Sequence, residues 1–287
     1  LKKIPEAEAR LWGSFITATA EDEMHKLVRQ IRFSVNPFLE QISTGSNSFA
    51  SKPCGAGLAI FLEMGVAIVG RVEDESGFVV NVVEIDRIVR ASAVPMITAK
   101  IKQEFKASRH IGFDVLADLL KQTRNELKGK FGKSFVSELS LKLNPFFKIS
   151  ADCEDIDMIY FSEKFEFAAM HKLWNNDLSS EKNFELFGKC ANPSGHGHNY
   201  VIEVTVKMPA GDDFVVGGFE KLVDEELISL IDHKNLNADV PRFGEINPTV
   251  ENIAVFAWDR LIGKFKTIQL HCINVWETDK TYCSYYG

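Results

Sequence analysis

The 287-residue sequence predicts an α+β fold built from two tandem units, and three observations carry that prediction. Segments that alternate apolar and polar residues, the period of a half-buried strand, recur in both halves. Each half also holds two stretches with apolar residues at helical spacing. The order of these segments repeats at an offset of about 134–140 residues, the mark of a duplicated β-β-α-α-β-β unit.

In the second half, residues 160–171 and 198–208 alternate as neighbouring antiparallel strands, with a polar loop at 175–183 between them. Residues 219–231 and 249–262 have helical spacing, and Asn247, Pro248 and Thr249 supply a start for the second of these helices. Residues 271–286 return to strand character. The first half follows the same outline. Residues 31–38 are strand-like and 57–72 form a long apolar strand or hairpin. GFVV at 77–80, ahead of 83–89, matches DFVV at 213–216 ahead of the later helix. Residues 113–127 match the second helix and 135–149 the terminal strands. Any two α+β domains share so coarse an order; the steady offset is what favours duplication. The boundary is expected in the acidic stretch 150–157, giving units 1–150 and 151–287.

A content of 45% hydrophobic, 25% charged and 11% aromatic residues excludes a disordered, collagen-like or low-complexity chain. The 22 phenylalanines favour strand-rich packing. Thirty-three basic residues against 40 acidic ones give a net charge of −7 with no basic run, which argues against nucleic acid as a partner. A local basic pocket for an anionic substrate stays open. The longest apolar stretch, 54–70, contains Glu63 and several glycines and is too short to span a bilayer, so no membrane partner is expected. Residues 1–30 lack the basic start and apolar run of a secretory leader. Five cysteines (Cys54, Cys153, Cys190, Cys272 and Cys283), odd in number and without paired spacing, read as free thiols in a reducing, cytoplasmic setting.

The chemistry concentrates in FGKCANPSGHGHNY, residues 187–200. His196 and His198 are two apart at the entry of a strand, so both rings leave the same face and can share one metal ion. His171, ending the strand whose inward face is Phe165, Phe167 and Ala169, qualifies as a third ligand. Three neutral imidazoles leave an open position, the arrangement of a catalytic zinc. The plain alternative is a polar turn. Cys190 lies six residues before His196, across a turn-forming stretch that brings a thiol near the expected metal; the plain alternative is a buried structural cysteine. Asp232 beside His233 supports proton transfer if the fold turns the pair toward the metal, and is otherwise a surface pair. Glu277 interrupts an apolar strand, which is costly without a partner, and an edge of adjacent N–H donors is a natural one. Glu251 sits one turn into a helix, where a solvated carboxylate is common.

Taken together, FGKC, NPSGHGHNY, DHKNLN, PTVEN and the strand ending WET, in that order over residues 160–287, resemble the 6-pyruvoyl-tetrahydropterin synthase family of the tunnelling fold. The resemblance implies two tunnelling-fold units, each an antiparallel four-stranded sheet with two helices on one face. It implies a zinc site at His171, His196 and His198, a catalytic Cys190, and an Asp232–His233 proton relay. Thr249, Glu251 and Glu277 would anchor the pterin. The activity implied is that of a lyase converting 7,8-dihydroneopterin triphosphate to 6-pyruvoyl-tetrahydropterin, serving tetrahydrobiopterin synthesis and eliminating triphosphate. Lys172, Lys189 and Lys234 are candidates to meet that triphosphate. A homo-oligomer is implied, with strands of a trimer closing a barrel and active sites between subunits. The segment 213–222, with Asp213 and Gly217-Gly218, departs from the family pattern in scaffold rather than site.

The first half departs further. Ala56 and Leu58 stand where the metal histidines would align, Asn144 falls near the Glu277 position, and no DHK follows its first helix. This half is expected to be a metal-free scaffold. Two other functions compete: a 6-carboxytetrahydropterin synthase of deazapurine synthesis, against which the longer spacing from Cys190 to the HGH weighs, and a non-catalytic pterin binder, which would have no need of a thiol beside a metal.

Overall fold

The computed structural model describes residues 23–38, 51, 58–155 and 157–287. They fall into two compact units, Leu1–Phe161 with Met208–Asp212, and Ser162–Lys207 with Asp213–Gly287. The division passes through a strand at Phe161. Cys54 and residues 55–57, which carry part of the comparison with the histidine motif, lie outside the described residues.

In the first unit β1 (His25–Val35) pairs antiparallel with β2 (Ile60–Gly70). Helices α1 (Val82–Ala91), α2 (Ala93–Lys106) and α3 (Phe113–Leu127) follow, then β3 (Phe135–Lys142) and β4 (Phe147–Asp152). The sheet order is β1-β2-β3-β4, antiparallel throughout. Its core is read directly from alternation: Ile31, Phe33 and Val35 on β1, and Leu62, Met64, Val66 and Ile68 on β2, are at most 3% exposed. Asp86 on α1 accepts two hydrogen bonds from Arg29, at 2.8 and 2.9 Å, and so ties that helix to the sheet. Instead of two helices there are three, because the first breaks at Ser92. Pro95 explains the break: its ring would meet the carbonyl of residue 91 and it has no N–H to donate, so it is accepted only in the first turn of a new helix.

In the second unit β5 (Met158–His171) lies beside β6 (His196–Pro209), which pairs antiparallel with β8 (Gln269–Thr278), and β8 pairs antiparallel with β9 (Thr281–Tyr285). The exception to antiparallel order is β7 (Lys234–Asn235), which runs parallel to β5. The segment expected to be a polar loop holds α4 (Ser180–Phe187), continued by a 3-10 turn, Gly188–Ala191. Its anchor is Asn183, fully buried, whose side chain donates to the carbonyls of Asn175, Leu178 and Ser179 and accepts from the Asn175 N–H. Further on, α5 (Val216–Val223) runs through a π turn (Asp224–Ile228) to Ile231. Two short helices, α6 (Leu236–Asp239) and α7 (Pro241–Glu245), precede α8 (Val250–Leu261). This unit therefore also exceeds two helices, because the connection after β7 folds into short turns. No helix among the described residues is long and apolar enough to cross a membrane.

The two units share a bulge. The β2–β3 register shifts between Ala67 and Ile68, and the β6–β8 register shifts between Thr205 and Val206.

One buried group in the second unit opposes folding at high pH. Glu163 on β5 is 5% exposed, its Oε2 has no hydrogen-bond partner, and burial followed by the charge of Glu220 pushes its pKa up to about 8. The folded state therefore holds a proton that the unfolded state releases near pH 4.5, and stability falls as pH rises across that window. Glu163→Gln is expected to be more stable than the parent by about 1–3 kcal/mol at pH 8 and by little at pH 4.5, compared by urea unfolding at the two pH values.

Candidate metal centre

Strand period places the centre. Along β5, Phe167, Ala169 and His171 are buried, with Met170 and Ala168 on the other face. Along β6, His196 and His198 share a face that continues into buried Tyr200, which stacks on Phe167 with ring centroids 4.9 Å apart. Gly195 leads into β6 at φ +70°, and a Cβ there would lie 2.9 Å from the His171 carbonyl oxygen, so the turn that delivers the histidines requires glycine.

Four side chains converge. The ligand atoms of His171, His196, His198 and Glu277 lie within 4.8 Å of one another. His171 Nε2 is 3.0 Å from His196 Nε2, and Glu277 Oε1 is 3.4 Å from His171 Nε2 and 3.3 Å from His198 Nε2. Donors sharing a tetrahedral zinc at about 2.0–2.1 Å sit about 3.3 Å apart, so the spacing fits. The second ring nitrogen of His171 is fixed too: its Nδ1–H donates to the Pro248 carbonyl at 2.8 Å, leaving the Nε2 lone pair facing the other donors. His198 Nε2 is buried without a hydrogen-bond partner, an orphan that a cation would satisfy. His196 Nδ1 is likewise buried and unpartnered, and a metal on Nε2 leaves it so. Burial, above all, lowers the pKa of His171 and of His196 from 6.5, so both rings are neutral ligands at pH 7.

Cys190 lies on the 3-10 turn, and its carbonyl accepts from the Leu173 N–H at 2.9 Å, two residues beyond His171. Burial, then the charge of Glu277, raises its pKa. The structure thus brings Cys190 to the side of the centre. Asp232 and His233 are not in the donor group. Asp232 accepts from the Ala168 N–H at 2.9 Å and from His233 Nδ1 at 2.8 Å, and its pKa is lowered by those bonds, the Ala168 one first, against burial. The His233 side chain is 81% exposed, its backbone sits at φ +55°, and it lines an open cavity of about 500 Å3 together with His198, Asn199 and Lys234. Thr249 is the N-cap of α8, its side chain accepting from the Asn252 N–H, and Glu251 lies exposed in that helix's first turn.

Sequence reasoning missed the residues that hold the centre. The Asn237 side chain accepts from the Lys172 N–H at 2.7 Å and donates to its carbonyl at 3.0 Å, and the Asn247 side chain accepts from the Trp174 N–H at 2.8 Å. Tyr200 was within reach of the strand period, being two residues past His198 on the same face.

Comparison with known proteins falls on this unit. A family model described as 6-pyruvoyl tetrahydropterin synthase matches residues 160–287. The 6-pyruvoyl tetrahydrobiopterin synthase of Homo sapiens is 42% identical over 130 residues, covering 44% of this chain and 90% of the human one. That of Drosophila melanogaster is 35% identical over 133 residues, covering 45% and 79%. The solved 6-pyruvoyl tetrahydropterin synthase of Caenorhabditis elegans is 30% identical with a TM-score of 0.43, covering 45% of this chain and 96% of that one.

Since burial keeps His171 and His196 neutral at pH 7, the affinity of the donor group for a divalent metal ion is expected to be nearly flat between pH 8 and 7. It should then fall by about tenfold per competing imidazole for each unit below that imidazole's pKa. Competition with a chromophoric chelator across pH 5–8 measures this.

Proposed function

The chain belongs to the 6-pyruvoyl tetrahydropterin synthase family, and from that premise we propose that it is a zinc-dependent lyase. It converts 7,8-dihydroneopterin triphosphate to 6-pyruvoyl-tetrahydropterin and eliminates triphosphate. The observation that carries this reading is the convergence of His171, His196, His198 and Glu277, with Cys190 tied beside them, in the unit that matches the family.

A zinc ion held by His171, His196 and His198 would supply Lewis acidity toward the oxygens of the substrate side chain, acidifying the neighbouring C–H bonds. The chain's own groups handle position and protons. Glu251 and Glu277 hold the amino and N–H edge of the pterin, as carboxylates hold a paired-donor edge. Thr249 is assigned to the same edge, and its cap on α8 presents Glu251. Cys190 keeps its proton while the site carries no compensating positive charge, and becomes a base when one is bound. His233 donates Nδ1–H to Asp232, which leaves Nε2 to accept and return a proton. Its exposure supports a site completed between copies of the chain, in a trimer or larger homo-oligomer. Of the three lysines, Lys234 lines the cavity shared by His198 and His233, whereas Lys172 lies over the Trp174 ring at 4.3 Å.

The first unit is a degenerate copy that serves as scaffold. Its strand order and its bulge parallel those of the second, and Asn144 accepts hydrogen bonds from the Phe146 and Phe147 N–H groups of its own turn. The four described cysteines are free thiols, which supports a reducing, cytoplasmic setting.

Cys190→Ala is expected to lower kcat by about 10²–10⁴ while retaining zinc, and His196→Ala to lose zinc and turnover together. Product mass after incubation with dihydroneopterin triphosphate checks the reaction. A carboxyl product with release of acetaldehyde would reassign the enzyme to 6-carboxytetrahydropterin synthesis, and full turnover by Cys190→Ala would overturn the mechanism.

A further inference from the structure

We infer that Glu277 is a displaceable fourth donor, closing the metal position in the resting protein and leaving it when a pterin binds. The inference rests on the zinc reading above and goes beyond the role of Glu277 as a pterin anchor. On β8, Glu277 directs one oxygen, Oε1, to 3.4 Å from His171 Nε2 and 3.3 Å from His198 Nε2. The bond from His171 Nδ1–H to Pro248 leaves His171 Nε2 with a lone pair, and His198 Nε2 is buried with no hydrogen-bond partner. A carboxylate oxygen turned toward the lone pair of a neutral imidazole is repelled unless a cation lies between them. Three imidazoles and one carboxylate make a complete tetrahedral set, whereas a catalytic site keeps a position open. Glu277 has a second use, since its carboxylate is one of the two assigned to the pterin edge. With Oε1 held toward the histidines only Oε2 remains for that edge, so two-point pairing with the ring draws the carboxylate away and frees the fourth position for substrate.

The test is made on the full chain, prepared metal-free and reloaded with cobalt(II), whose visible bands report coordination. Glu277→Gln, an isosteric change at a side chain 24% exposed, should bind cobalt about 10–100-fold more weakly than the parent, the range seen when a supporting group around a metal is lost. Its bands should differ from the parent's. Neopterin, added as an unreactive pterin probe, should shift the bands of the parent. Equal affinity and identical bands in the two proteins would overturn the inference, as would parent bands that do not move at saturating neopterin. His196→Ala separates this failure from failure of the zinc reading: if it binds cobalt as the parent does, the metal site itself is wrong. Thermal unfolding of each metal-free variant verifies folding, and the neopterin titration of the parent stands without any variant.

Discussion

The hydrogen bond from His171 Nδ1–H to the Pro248 carbonyl is the constraint on which the centre depends. His171 is 1% exposed, so the bond is formed where water cannot replace it, and an unpaired N–H there would carry the full cost of a buried donor. It selects the tautomer that leaves Nε2 free and sets the plane of the ring. The carbonyl is itself held. The Asn247 side chain accepts from Trp174, the Asn252 side chain donates to the Asn247 carbonyl, and Thr249 caps α8 immediately afterwards. One short loop therefore orients a histidine of the donor group and starts the helix that carries Glu251. The histidine group and the start of α8 therefore cannot shift independently.

A second constraint lies along the outer edge of β5. Asp232 takes the Ala168 N–H, the His233 N–H donates to the Ala168 carbonyl, β7 pairs with Ala169 and Met170, and Asn237 takes both backbone groups of Lys172. Residues 232–237 thus act as one edge strand, half backbone and half side chain. This satisfies the polar groups that an open edge would otherwise present. It also accounts for His233 in the left-handed region, a conformation costing about 1–3 kcal/mol in a non-glycine residue, which persists when its neighbours over-determine it. The strain falls on a residue assigned to the chemistry.

Strand period made the histidines legible, because two residues apart on a strand means one face whatever the rest of the fold does. Glu277 was legible as a carboxylate that needs a partner. Its nearness to the imidazoles was not, since nothing in the sequence registers β8 against β6. The Pro248 carbonyl left no trace in the sequence, being a backbone group whose role arises only when the loop meets β5. Helix α4 went unread for a different reason: Phe184 and Leu186 are 48% and 64% exposed, so it has no apolar face to betray it. A buried polar residue, Asn183, holds it instead. Pro95, a residue accepted in a first helical turn, did carry a signal for the start of α2, a stretch to which the sequence pattern assigned no element.

The two units show which property of the fold is robust and which is fragile. Packing in the first unit needs only apolar alternation, and its sheet charges are neutralised in place, Arg29 by Asp86 and Arg32 by Glu63. Among the described residues, the four-donor group lies in the second unit. Such a group tolerates far less than packing does. A slip of one residue between β5 and β6 would send His196 and His198 to the opposite face and leave His171 alone. The bulge at Thr205–Val206 sits well down β6 from the histidines, and Val201 pairs with Trp276, one residue from Glu277, whereas β8 and β9 shift register between Trp276 and Thr278, at Glu277 itself. Apolar alternation alone is therefore enough to fold a sheet of this kind, whereas a slip of register would disperse the donor group even with all four residues in place.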